Sequence, residues 1–127
     1  MKRQYLLLAA AAVLLAAGCF AGLRYVSRST EQLSAMTRPV LAAVEKQDWP
    51  AAQAAYSALE QDWRRHAGVW QTIIRHEDLR DIEGVMVDLQ VTLAEENRAQ
   101  AAKELAELLF YLEQVAENES LRLQNIL

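Results

Sequence analysis

Few residues in this 127-residue chain have side chains suited to chemistry. The two histidines, His66 and His76, both have carboxylates nearby. Asp62 lies one helical turn before His66, and Glu77, Asp78 and Asp81 follow His76. Two imidazoles and a carboxylate can hold zinc. A di-iron bundle needs a glutamate three residues before each histidine, but Trp63 and Ile73 stand at those positions. The expectation is that each histidine is a half-buried packing residue with a hydrogen-bond partner. No metal and no cofactor are assigned.

Other chemistry finds less support. The single cysteine, Cys19, sits inside an apolar run, and the serines stand in no elbow or triad context. No glycine-rich loop is present to cradle a phosphate. The chain therefore reads as a non-enzyme. Trp49, Trp63 and Trp70 could line a ligand pocket or anchor a partner, but three tryptophans in one small domain more often fill its core. Arg75 and Asp78 are expected to form a partly buried pair. Glu104, Glu107, Glu113 and Glu117 are expected on a solvated face.

The element that places all of this is the N-terminal run. Lys2 and Arg3 precede an uncharged stretch from Tyr5 to Leu23, about 19 residues, against the roughly 20 a helix needs to cross hydrocarbon. The adopted reading is an uncleaved signal anchor, because the apolar run continues past the one plausible cleavage point. Leu15-Ala16-Ala17-Gly18-Cys19 resembles a lipobox, so lipidation at Cys19 is the first alternative and cleavage with secretion the second. Lys2 and Arg3 favour an inside N-terminus, Arg24 and Arg28 oppose it, and the export-like start places the domain outside. Gly18 and Gly22 form a G-x-x-x-G pair that could bring two membrane helices together as a homodimer.

Removing Lys2 and Arg3 from the 13 basic residues leaves 11 against 17 acidic ones, a net charge of about −6. Such a domain is expected to be repelled by nucleic acid and by anionic headgroups, so no nucleic-acid partner is assigned. After the anchor the only glycines are Gly68 and Gly84 and the only prolines Pro39 and Pro50. With many Ala, Leu, Glu and Gln residues, this composition is that of an all-α domain.

Periodicity sets the expected helices. Ser29 or Thr30 caps one beginning near Glu31, with a kink or restart at Pro39, unless it continues directly from the membrane helix. Asp48 caps a second, with Pro50 in its first turn, and Gly68 ends it. A third runs from about Val69 to Glu96. Its two apolar stripes, Leu79 to Leu93 and Val69 to Val91, would make it the central helix. Asn97 with Gln100 opens a fourth, ending near Asn118, and the apolar tail Leu121–Leu127 is expected to dock back on the bundle. The architecture is all-α: a membrane helix over residues 1–28, then a three- to four-helix bundle over 29–127.

Several short motifs carry a resemblance. They are the Asp48-Trp49 opening, Trp63, the segment His76-Glu77-Asp78-Leu79-Arg80-Asp81-Ile82-Glu83, the Leu105–Leu112 stripe and the closing Asn125-Ile126-Leu127. In these the chain resembles a family of small bacterial membrane-anchored helical proteins catalogued only as a domain of unknown function. The resemblance implies His76, Asp81 and Asn125 as marked positions. With the tail docked, the Asn125 amide is expected to cap a helix end or to bond a buried backbone group near His76. The resemblance also implies a membrane partner, and it carries no activity. The resulting expectation is a single-pass accessory or interaction module. A small-ligand sensor bundle and a metal-binding lipoprotein are the alternatives.

Overall fold

The computed structural model describes the backbone of residues 1–126 and all side chains there except those of Leu123 and Ile126. Four helices make up the described chain: α1 (Lys2–Glu45), α2 (Trp49–Ile73), α3 (His76–Ala94) and α4 (Arg98–Ile126). They alternate in direction. α1 packs on α2 and α4, α3 packs on α4 and α2, and the α2–α3 pairing is the slightest of the four. α1 and α3 are thus diagonal partners across one core.

α1 passes Ser29, Thr30 and Pro39 without a break. Ser29 and Thr30 do not cap a new helix. Both are buried, and their hydroxyls donate back to carbonyls of the preceding turn, Ser29 Oγ to Tyr25 O at 2.8 Å and Thr30 Oγ1 to Val26 O at 2.7 Å. A hydroxyl satisfied this way has no need of a helix start. Pro39 faces solvent, while Leu33, Val40 and Val44 bury the opposite side. That burial outweighs the one backbone bond the proline removes. The first half of α1 stands clear of the bundle, with Leu6, Leu7, Leu8, Val13, Leu14 and Leu15 each exposed. Among the described residues this is the one helix long and apolar enough to cross a membrane. Burial starts at Leu23 and Val26, so anchor and bundle share one rod.

Two turns at the end of the bundle far from the apolar segment are built alike. Gln47 (φ 57°) and Glu96 (φ 56°) are left-handed. Gln47 N–H reaches Val44 O at 3.0 Å and Asp48 N–H reaches Ala43 O at 2.9 Å; Glu96 and Asn97 repeat the pattern on Leu93 O and Thr92 O, each at 3.2 Å. These are Schellman closures. In each, the next residue then caps the following helix: Asp48 Oδ1 accepts from Ala51 N–H at 3.3 Å, and Asn97 Oδ1 from Gln100 N–H at 3.2 Å. Asp48, Pro50 and Asn97 thus act as the sequence predicts, although the Gln100 side chain turns to Glu104 instead of closing a full capping box.

The α2–α3 boundary differs from expectation. Gly68 does not end α2, which continues to Ile73; the chain then extends through Ile74 and Arg75 before α3 begins at His76. A glycine inside a helix costs about 1 kcal/mol. Trp63 and Trp70, both buried, flank Gly68 and hold the helix through it. The shift also removes the second stripe of α3. Val69 and Ile73 belong to α2, Val87 is 60% and Val91 55% exposed, and α3 is a peripheral helix with one buried face. α4 does not stop near Asn118 but runs on to Ile126. In that last stretch Leu121 is 52% exposed. The expected docking of the tail rests mainly on Leu123, Ile126 and Leu127, which lie outside the described side chains.

Candidate functional site

The α1–α2 seam carries a line of polar side chains. On α1, Tyr25, Ser29 and Gln32 follow one another at helical spacing along one face. On antiparallel α2 they meet His66, Trp70 and Asp62. Tyr25 Oη lies 2.5 Å from His66 Nδ1, with the rings edge-on. His66 Nε2 lies 3.5 Å from Asp62 Oδ2, and Gln32 Nε2 donates to Asp62 Oδ1 at 3.2 Å. Buried Trp70 donates its indole N–H to Ser29 Oγ at 2.8 Å. His66 Nε2 and Asp62 Oδ2 are both buried and face each other without closing a hydrogen bond. The line lies in a packed seam, which suits holding two helices in register. His66 is therefore the half-buried, partnered histidine foreseen from sequence.

His76 departs from that expectation. It is exposed at the first position of α3, and Asp81 is exposed on the same helix. Asn125 is exposed near the end of α4, and among the described residues no hydrogen bond joins it to His76 or Asp81. Arg75 does not pair with Asp78: it meets Glu77 at 3.4 Å, and both are exposed. Among the described residues, no three His, Cys, Asp or Glu side chains gather where a metal ion could sit.

The three tryptophans take different places. Trp63 and Trp70 stack edge to face with ring centres 5.3 Å apart in the core, and Trp49 is half-buried against it. Between α2 and α3 a groove of about 480 Å³ opens to solvent. Tyr56, Trp63 and Met86 form its floor, Glu60, Arg64 and Glu83 its rim. Tyr56 Oη closes the base of the groove by donating to Met86 O at 2.5 Å. Burial, reinforced by Glu60 and opposed by Arg64, pushes the Tyr56 phenol far above its ordinary value of 10.0.

Two carboxylates are more buried than the sequence implies. Glu104 is not on a solvated face. It accepts from Thr92 Oγ1 at 3.1 Å and Gln100 Nε2 at 3.0 Å, joining α3 to α4. Glu119 is buried near the end of α4, 3.4 Å from Arg122. Burial raises its carboxyl above the ordinary 4.5; Arg122 opposes that and Asp78 adds to it. The sequence reading puts Glu104 on the solvated face and passes over Glu119, because a surface-type residue on an otherwise acidic helix gives no sign of inward orientation. The Tyr25, Ser29, Gln32 stripe did offer such a sign.

Gly18 and Gly22 line a second cleft, where α1 leaves the bundle, together with Leu14, Leu15, Ile73 and Arg122. Cys19 is exposed on the same stretch. A Cβ at Gly22 would lie 3.3 Å from Ile73 Cδ1, so the close approach this glycine permits is made by α2 of the same chain.

The architecture is that of a small all-α bundle built around the second half of a long N-terminal helix whose first half is apolar and uncovered. The chain belongs to the family described as Domain of unknown function (DUF4363), which it matches over residues 20–126. That match takes in the whole bundle and leaves out most of the apolar segment. No curated protein and no solved structure matches the chain.

Proposed function

We propose that this protein is a single-pass, membrane-anchored accessory module that holds another membrane protein and performs no catalysis. In this reading the N-terminus lies inside and the bundle on the extracytoplasmic side. The supporting observation is where the empty space lies. Among the described residues the core gap bounded by Leu33, Leu59, Trp63, Ile82 and Leu108 measures about 10 Å³, no more than one water needs. A sensor bundle holds its ligand in such an interior, and here Trp63 and Trp70 occupy it. Open space lies on the surface instead, and the groove between α2 and α3 is flanked by the exposed valines Val87 and Val91. An aromatic floor with a charged rim is the usual make-up of a protein-binding patch.

The test is a photo-crosslinking residue at Val87 in native membranes. One membrane protein should be captured, and Val87→Asp in an otherwise unlabelled chain should abolish its co-purification without shifting the melting curve. Undiminished co-purification of the same partner by Val87→Asp would remove the groove from the interface.

A further inference from the structure

The cleft at the root of the bundle lies at a different place from the α2–α3 groove and has a different character. It measures about 630 Å³ and its lining is mostly apolar. One wall is the Leu14–Leu23 face of α1; the other is the last turn of α2, at Thr72 and Ile73, with Arg122 of α4 at the rim. We infer that this cleft is a phospholipid site, taking one acyl chain between α1 and Ile73 and the anionic headgroup at Arg122.

Three observations carry this. The first is position. Leu14 to Leu23 rise by about 14 Å along the helix axis, roughly half the apolar run from Tyr5. This rests on the membrane-anchored reading above: with that run in a bilayer, the cleft reaches from near mid-membrane to the interface, and hydrocarbon is the medium that fills it.

The second is access. A Cβ added at Gly22 would lie 3.3 Å from Ile73 Cδ1, so α2 already occupies the approach that a second membrane helix would need there. Gly18 stays open: an added Cβ would meet nothing within 4 Å, which leaves room for a flexible acyl chain.

The third is charge. Among the described residues Arg122 is the only cation lining the cleft, and its side chain is 46% exposed. Its Nη1 donates to Ile73 O at 3.3 Å and faces Glu119 at 3.4 Å. A guanidinium has five N–H donors in a planar fork, so donors remain for a phosphate at the headgroup level.

The test uses the full chain in phosphatidylcholine nanodiscs carrying a trace of phosphatidylglycerol with a diazirine on its acyl chain. After illumination, label should appear on Thr72–Ile73, which no membrane helix contains. Gly18→Leu, which fills the slot outside the bundle core, should cut that label at least five-fold, whereas Ala17→Leu on the opposite face should leave it unchanged. Arg122→Gln should abolish any preference for the phosphatidylglycerol probe over a phosphatidylcholine one. Native mass spectrometry of the unaltered protein should show one retained phospholipid, a readout independent of any variant. The inference is overturned if Thr72–Ile73 stays unlabelled, if Gly18→Leu leaves its label intact, if both probes label the unaltered protein equally, or if illumination links two copies of the chain through this cleft instead.

Discussion

Ser29 and Trp70 provide the sharpest test of how α2 is held to α1. Trp70 is fully buried, and Ser29 Oγ accepts its indole N–H at 2.8 Å. Ser29→Ala leaves that N–H buried without an acceptor, which costs about 1–3 kcal/mol. The carbonyls of Tyr25 and Val26 lose only their secondary bond to the serine hydroxyl, a minor loss. For a domain of this size 1 kcal/mol corresponds to about 4–8 °C in melting temperature, so a loss of about 10 °C is expected. Trp70→Phe is costly in its own right, because it removes ring volume from the core and the edge-to-face contact with Trp63. In that background no indole N–H remains to satisfy, and Ser29→Ala should cost less than about 0.5 kcal/mol. The assay is a double-mutant cycle on the full chain in detergent, followed by far-ultraviolet circular dichroism during heating. The expected coupling is about 1–2 kcal/mol. An equal cost for Ser29→Ala in both backgrounds would refute the bond as a source of stability.

The other predictions concern turns, buried carboxylates and the groove. Gln47→Gly and Glu96→Gly should each raise the melting temperature by a few degrees, because glycine relieves about 1 kcal/mol of left-handed strain at exposed positions. Thr92→Val removes a donor to buried Glu104 and should cost about 1.5–3 kcal/mol in the same melt. The Glu119 carboxyl is raised in the folded state, so its contribution is fully present below 4.5 and is lost as pH rises through the higher folded value. Glu119→Gln should therefore stabilise the protein at neutral pH, lessen the decline in melting temperature just above pH 4.5, and change little at pH 3. Tyr56→Phe removes the phenol bond to Met86 O and should cost about 0.5–1.5 kcal/mol. Hydrogen exchange should quicken in α3 more than in α4.

Much of the helical framework could be read from residue types. Asp48 and Asn97 accept from backbone N–H groups three residues on, so a short polar side chain in the right place opens a helix whatever surrounds it. Leu105, Leu108 and Leu112 line the core because a 3.6-residue period defines a face before any partner is known. The uncharged run to Leu23 defines an uncovered apolar helix for the same local reason. Other outcomes depended on what each residue meets. Gly68 and Pro39 are breakers by propensity, yet both sit inside helices, since burying Trp63, Trp70, Leu33 and Val40 outweighs a local cost of about 1–3 kcal/mol. His66 and His76 have similar acidic neighbours in sequence. One is partnered and the other exposed, because only His66 faces Tyr25 across the seam. Glu104 and Glu119 are buried by the helices packed against them. The apolar cleft exists because a continuous α1 carries Gly18 and Gly22 past the end of α2. Short-range chemistry thus determined the helical starts, the apolar stripes and the membrane-type segment. Tertiary packing decided which breakers were overridden, which polar groups found partners and where open space remained, because those depend on contacts between residues far apart in the chain.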